Sequence, residues 1–250
     1  MKRLLKTLKS LLFPPRCGGC HTLLPTAIGT EAPLFCKECA EEWERELTRQ
    51  CPRCFAAYTE CRCQPAVLKK AGSLALVKLA PYGEDADARV MRTLVLDMKK
   101  APYRRTSEFL AKELETGLLA ALEKEKCAIT DAIFVHIPRD ARNKRRFGTD
   151  QSEALACALS RQTGILHLPL LRRVKRTKTQ KKLSAKERMV NLVGAFSVSE
   201  VPKDKCIILV DDVVTTGATA AAAASLLRAA GAKRLLTLCL AVTEKKRGKM

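Results

Sequence analysis

Apolar and polar positions follow two rhythms along most of the chain, one typical of strands and one typical of helices. Nearly continuous apolar runs predict buried strands over residues 73–82, 131–137, 166–172, 206–211 and 234–242. Between them, apolar positions at helical spacing predict helices over 84–100, 104–124, 150–163 and 217–230. Apolar strands that alternate with helices are typical of a parallel sheet covered on both faces. We therefore predict an α/β fold over residues 67–250.

The first 16 residues have a different pattern. Between residues 2 and 12, leucines fall on one helical face and basic residues on the other, and Pro14-Pro15 ends the helix. Such a helix can pack on protein or lie on a membrane surface, and the sequence leaves both open. No run of 18 uncharged apolar residues occurs, and Lys6 and Lys9 interrupt any signal-peptide core. We expect a cytoplasmic protein without a transmembrane segment, with peripheral contact at the inner face of the cell membrane as the alternative.

Residues 17–66 are rich in cysteine. Eight of the chain's 12 cysteines form four close pairs: Cys17 and Cys20, Cys36 and Cys39, Cys51 and Cys54, and Cys61 and Cys63. In a chain without an export signal, such pairs indicate thiolate zinc sites, because two tight turns with two sulfurs each complete a tetrahedron. Since the segment has few large apolar residues, we expect a double zinc ribbon in which one or two zinc ions replace a core. Buried free thiols are the alternative, most of all for the pair with a one-residue spacer, Cys61 and Cys63.

The segment from residue 206 to residue 219 contains the most specific pattern in the chain. A buried strand ends in two adjacent carboxylates, and a short Thr/Gly loop then opens a helix. Backbone N–H groups and hydroxyls at a helix start bind anions, and a glycine there lets a phosphate approach closely. Paired aspartates can hold vicinal hydroxyls or, through water, a hard cation. We predict a ribose 5-phosphate site formed by Asp211, Asp212, Val213, Val214, Thr215, Thr216, Gly217, Ala218 and Thr219.

This segment resembles the signature of type I phosphoribosyltransferases, which bind phosphoribosyl pyrophosphate (PRPP). The resemblance implies a phosphoribosyltransferase-like sheet. It also implies that Asp211 and Asp212 contact the ribose hydroxyls, that residues 215–219 surround the 5′-phosphate, and that Mg²⁺ accompanies the pyrophosphate. The two aspartates are then the candidates for catalysis if turnover occurs.

Two upstream segments, with the cysteine pairs, resemble the ComF family of competence proteins. The first joins Val135-His136-Ile137-Pro138-Arg139 to Arg145-Arg146-Phe147-Gly148-Thr149-Asp150-Gln151, and the second runs from Leu171 to Phe196. The order around Phe147 departs from the Arg-Gly-Phe-Asn-Gln that is usual in that family, which leaves the geometry of this loop open. By this resemblance, pyrophosphate or DNA contacts are expected at Pro138, Arg139, Arg145, Arg146, Gln151, Arg173, Arg176, Gln180, Arg188 and Asn191.

The charge of the chain favours a polyanionic partner. With 46 basic and 26 acidic residues, the formal net charge is +20, and residues 172–188 hold nine basic side chains against one acidic one. One pyrophosphate needs only a few of these cations, whereas single-stranded DNA rewards a basic track. The ComF resemblance implies a role in natural transformation, in the uptake of single-stranded DNA. Two alternatives stay open: a transferase that moves phosphoribose from PRPP to a base or amine, and a zinc-ribbon adaptor that docks a helicase or a membrane DNA-uptake channel.

Overall fold

The computed structural model describes residues 14–25, 32–83, 88–100, 104–139, 148, 150–174 and 194–243. The helices are α1 (Lys37–Thr48), α2 (Ala66–Lys70), α3 (Arg89–Lys100), α4 (Arg104–Lys124), α5 (Gln151–Thr163) and α6 (Ala218–Ala229). The strands are β1 (Leu76–Val77), β2 (Ala80–Tyr82), β3 (Ala132–His136), β4 (Leu166–His167), β5 (Leu171–Arg173), β6 (Phe196–Val198), β7 (Cys206–Val210), β8 (Val213–Val214), β9 (Arg234–Leu238) and β10 (Ala241–Thr243). The predicted helix 2–12 lies outside the described residues.

A five-stranded parallel sheet forms the centre of the molecule, in the order β1-β9-β7-β3-β4. Strands β3 and β7 are buried along their whole length, as expected for a sheet covered on both faces. One face carries α3, α4 and α5, and the other carries α2 and α6. The predicted α/β fold with a parallel sheet and helices on both faces is therefore confirmed.

Three neighbouring strands of this sheet break at the same level and continue into a second sheet. Strands β1, β9 and β7 lead into β2, β10 and β8, which form a parallel three-stranded sheet in the same order, β2-β10-β8. The connecting pairs are Lys78-Leu79, Cys239-Leu240 and Asp211-Asp212. The continuous strands predicted over 73–82 and 234–242 were therefore wrong in one respect, because each is two short strands in different sheets. We call this feature the strand break.

The strand predicted over residues 166–172 was also wrong. Strand β4 is an edge of the central sheet, whereas β5 pairs with β6 in an antiparallel hairpin. Pro169 lies between β4 and β5 and has no N–H to donate to a sheet, and the chain turns there through a hydrogen bond from Leu170 N–H to Leu168 O (2.9 Å).

The cysteine-rich segment packs on the α/β core instead of relying on metal alone. Helix α1, which the sequence reasoning missed, places Trp43 against Phe35 and against Phe109 of α4, with ring centroids 5.7 and 5.6 Å apart. Cys17, Cys39 and Trp43 belong to the same buried cluster as the apolar face of α3. Within the described part of the chain, no helix is both long and apolar enough to span a bilayer.

Candidate functional site

The candidate site lies at the strand break, where the central strand β7 ends. The backbone there is fixed on both sides by β9 and its continuation, since Asp211 N–H donates to Leu238 O (2.9 Å) and Leu240 N–H donates to Asp212 O (3.0 Å). Both aspartates are partly exposed. They lie beyond the carboxyl end of a parallel strand, which is where open α/β sheets bind ligands.

Asp212 is held by partners from two other elements. Its Oδ2 accepts a hydrogen bond from Gln151 Nε2 (2.9 Å) and lies 3.3 Å from Lys99 Nζ, while its Oδ1 accepts from Val213 N–H (2.7 Å). Burial opposes ionisation of this carboxyl, but the Lys99 ammonium and the two hydrogen bonds outweigh burial and lower its pKa. Asp212 is therefore the ionised member of the pair.

Asp211 has the opposite electrostatics. Burial raises its pKa well above the ordinary value for aspartic acid, and the neighbouring charge of Asp212 raises it further. Its Oδ1 accepts a hydrogen bond from Asp212 N–H (2.9 Å). Two adjacent carboxyls with such different surroundings can share one proton, so that one donates a hydrogen bond while the other accepts one.

Gln151 contributes an acceptor to the same site. It is the first residue of α5, its side chain is buried, and its Nε2 is committed to Asp212. Among the described residues, its Oε1 has no hydrogen-bond partner. This oxygen is therefore able to accept a hydrogen bond from a hydroxyl group of a ligand.

The start of α6 packs closely on α2. Gly217 precedes the helix with φ +80°, and Thr216 Oγ1 accepts a hydrogen bond from Ala218 N–H (3.4 Å). A Cβ on Gly217 would lie 3.1 Å from two side-chain atoms of Pro65 and 3.3 Å from Val67. The described contacts thus give a second reason for a glycine here, since a left-handed backbone and the close packing of α6 on α2 both favour a residue without a Cβ. Thr215 is exposed and Thr219 half-buried.

The loop after β3 is anchored at the same edge of the sheet. Arg139 N–H donates to Asp150 Oδ2 (2.7 Å), and the Arg139 guanidinium donates to Lys99 O (3.0 Å). Asp150 also caps α5 by accepting hydrogen bonds from Ser152 N–H and Glu153 N–H. The fold therefore brings residues 138–139, the start of α5 and the end of α3 together around Asp212.

The remaining predicted contacts are less well placed. Arg173 lies in β5, where its guanidinium carbon is 5.3 Å from the ring centroid of Phe196. Arg145, Arg146, Arg176, Gln180, Arg188 and Asn191 lie outside the described residues. A shallow apolar groove lined by Pro33, Leu34 and Phe109 lies beside the first cysteine group, away from the aspartates.

The first four cysteines form a tetrad suited to a tetrahedral metal. The four sulfurs of Cys17, Cys20, Cys36 and Cys39 lie within 4.8 Å of one another, and the Cys20 and Cys36 sulfurs are 3.7 Å apart. Zinc–sulfur bonds of about 2.3 Å in a tetrahedron give sulfur–sulfur edges of about 3.8 Å. Cys36 N–H donates to Cys17 Sγ (3.2 Å), and Arg89 Nη2 donates to Cys39 Sγ (3.4 Å). The donor set fits zinc.

The second four cysteines form a comparable tetrad despite the short spacer. The sulfurs of Cys51, Cys54, Cys61 and Cys63 also lie within 4.8 Å of one another, and Cys63 N–H donates to Cys61 Sγ (3.3 Å). Burial raises the pKa of Cys61 to about 12, whereas hydrogen bonding from Ala56 N–H is the main cause that lowers that of Cys54 to about 7. A metal ion would convert all four to thiolates. This tetrad can therefore hold zinc as well.

The site includes residues that sequence reasoning missed. Lys99 is the residue before the last in α3, and nothing in the local pattern distinguishes it from exposed Lys100, which ends the helix. Only the fold places Lys99 against Asp212. The sequence contains one signal that the strand predicted over 73–82 is interrupted. This signal is Lys78, a charged residue inside a strongly apolar run.

One family profile covers this location. Residues 149–250 match the family profile described as the phosphoribosyl transferase domain. A solved structure, that of a purine phosphoribosyltransferase from Pyrococcus horikoshii Ot3, is similar with 20% identity and a TM-score of 0.29, over 54% of this chain and 73% of that one. No curated protein matches significantly. The residues from Asp211 to Thr219 therefore lie within the part of the chain that is similar to the phosphoribosyl transferase domain.

Proposed function

We propose that the chain binds PRPP at the strand break, with the site residues from Asp211 to Thr219. One observation carries the proposal: two carboxyls follow the central parallel strand and precede a helix start, inside the segment that matches the phosphoribosyl transferase domain. Asp211 and Asp212 would hold the ribose hydroxyls, together with Gln151 Oε1. Residues 215–219 would bind the 5′-phosphate.

The pyrophosphate would lie between the loop after β3 and the start of α5. Arg139, which follows Pro138, contacts Asp150 at the start of α5, and Arg145 and Arg146 follow in the sequence, outside the described residues. Mg²⁺ bound to the pyrophosphate would neutralise part of its charge. The position of Lys99 beside Asp212 adds a further cation at this edge.

Thermal unfolding with PRPP, in the presence and absence of Mg²⁺, tests this proposal. A ligand at 100 times its dissociation constant stabilises a fold by about 2.7 kcal/mol, which is a readily measured shift. We expect this shift in the wild type and its loss in the Asp211→Asn/Asp212→Asn double variant. No shift in a folded, zinc-loaded wild type at any PRPP concentration would overturn the proposal.

Transfer of phosphoribose to a base or amine is the catalytic version of the same site. Helix α3 supports it, because its end reaches the aspartates and could cover an acceptor. Such an enzyme would show Mg²⁺-dependent exchange or hydrolysis of PRPP that disappears in the double variant. If PRPP binds but is neither exchanged nor hydrolysed, only the binding role is supported.

The second proposed function is binding of single-stranded DNA, in a ComF-like role in DNA uptake. The excess of basic residues supports it, above all the net charge of +8 that nine basic side chains and Glu187 give residues 172–188. Arg172, at the start of this segment, is exposed.

The salt dependence of binding to short single strands tests this role. Each neutralised phosphate contributes about −0.7 to the slope of log affinity against log salt for single strands. We expect a steep negative slope, which Arg172→Gln should reduce and Arg92→Gln, at an exposed position of α3, should not. A slope near zero would contradict DNA binding.

The adaptor role has one structural feature in its favour. Phe55, in the first turn of the second cysteine tetrad, is 71% exposed, which is unusual for a large apolar side chain. A ribbon that docks a helicase or channel would use such a residue. Phe55→Ser should then leave PRPP and DNA binding unchanged in vitro but reduce DNA uptake in cells, whereas unchanged uptake would remove this role from Phe55.

A further inference from the structure

Lys78 is a buried cation at the strand break. Its residue is only 2% exposed, and it lies between β1 and β2. Its ammonium group donates to Cys61 O (2.7 Å), Cys63 O (3.0 Å) and Leu76 O (3.4 Å). Two of these three carbonyls belong to cysteines of the second tetrad.

The ammonium group has no anionic partner in the described part of the chain. No carboxylate of those residues lies within 4.0 Å of its Nζ, and carbonyl oxygens supply dipoles but no net charge. An ion in the interior costs several kcal/mol unless a counter-charge lies nearby. Arg89, the cation at the first tetrad, differs because it also pairs with the carboxylate of Glu42.

The missing counter-charge is available from the second cysteine tetrad. Four thiolates around one divalent ion have a formal charge of 2 − 4 = −2. The carbonyl contacts hold the Lys78 ammonium beside two of the four ligating residues. We propose that Lys78 is the charge-compensating residue of a tetrathiolate metal site formed by Cys51, Cys54, Cys61 and Cys63.

The strand register connects this metal site to the aspartates. Val77 pairs with Leu238, and Leu238 pairs with Val210, so the next residues of the three strands, Lys78, Cys239 and Asp211, follow at one level. Lys78 and Asp211 are therefore separated by one strand, β9, and neighbouring strands are about 4.8 Å apart. Lys78, at the outer end of this row, therefore contacts the second tetrad, and Asp211 lies two strands further in. The role of Lys78 at the metal site does not depend on PRPP binding.

Competition of the zinc-loaded full-length protein with a chromogenic chelator tests the proposal. In Lys78→Met, one of the two zinc ions should bind at least about tenfold more weakly, equivalent to about 1.4 kcal/mol, while the other is unchanged. Alkylation of thiols followed by mass spectrometry should identify the freed cysteines as those of the second tetrad. Lys69→Met, which removes an exposed charge on α2, is the matched control and should change neither ion.

A second variant and a second measurement separate charge from packing. Lys78→Gln keeps a hydrogen-bond donor but removes the charge, so it should weaken zinc binding as Lys78→Met does. Without metal, the neutral variants should be at least as stable to urea as the wild type, because the uncompensated ion is gone. Unchanged zinc affinity in Lys78→Gln, or a metal-free form that both substitutions destabilise, would overturn the proposal and assign Lys78 to packing.

Discussion

At the scale of single residues, Lys99 controls the ionisation of Asp212. Its ammonium is the largest of the influences that lower the pKa of this carboxyl against the effect of burial. We expect Lys99→Met to raise the pKa of Asp212. Carbon-detected NMR of the carboxyl group during a pH titration measures this pKa. Lys100→Met is the control, because Lys100 is the next residue and is exposed. An Asp212 pKa that is the same in all three proteins would show that Lys99 is not coupled to the site.

Glu46 makes the stability of the fold depend on pH. This residue of α1 is 1% exposed, and its two oxygens accept hydrogen bonds from Val90 N–H and Met91 N–H at the start of α3, both at 2.8 Å. Burial raises its pKa from 4.5 to about 7, although the two N–H groups oppose this. Between these pH values the folded protein binds more protons than the unfolded chain, so the free energy of unfolding falls as pH rises.

Urea denaturation of Glu46→Gln beside the wild type checks this, with zinc in excess at each pH. The difference in unfolding free energy, wild type minus variant, should decrease by up to about 3 kcal/mol from pH 4.5 to pH 8, since each pKa unit is worth about 1.36 kcal/mol. A difference that rises with pH would mean that the ionised carboxylate stabilises the fold as a helix cap.

The sequence allowed some of these residues to be predicted and not others. Asp211 and Asp212 were found because they follow a buried strand directly, and the cysteines because their spacing is local. Glu46 and Lys99 were not found, because they reach their partners across 44 and 113 positions of the chain. Such contacts depend on how helices pack, which the spacing of apolar residues does not specify.

At the scale of elements, the contact between α2 and α6 depends on Gly217. An alanine there would need a left-handed backbone at φ +80° and would press on Pro65 and Val67. We expect Gly217→Ala to cost about 2 kcal/mol or more in unfolding free energy, measured by urea denaturation. Gly164→Ala is the matched control, because Gly164 has φ +76° but no atom within 4 Å of an added Cβ. Equal losses in both variants would leave only the backbone effect and contradict the packing role.

Helices were predicted more accurately than strands. The helix predicted over 104–124 agrees with α4 at both ends, because its apolar face is long and regular. The interruptions within 73–82 and 234–242 were not predicted, since residues on both sides of each break are buried and only Lys78 marks one of them. Local hydrophobicity reports burial, and it does not report which of two sheets a residue joins.

At the scale of the whole molecule, the first cysteine tetrad and the α/β core share one buried cluster. Trp43 is the only tryptophan, and it lies in the core cluster shared by the cysteine-rich segment and α3. Removal of zinc by a strong chelator should therefore change the fluorescence of Trp43 and lower the unfolding free energy of the whole chain by several kcal/mol. Readdition of zinc should restore both. Unchanged fluorescence and stability after verified metal loss would show that packing alone holds the segment.

Because the three strands break at one level, the chain cannot gain or lose residues there without misaligning the strands. Inserting one residue into β7 or β9 would shift that strand against its neighbours and turn its side chains to the opposite face, so that a lysine, a thiol and a carboxyl would no longer line up. Insertions in surface connections would leave the alignment intact. Variation in length should therefore be tolerated in surface loops but excluded from the three positions of the strand break, because their alignment depends on a shared register.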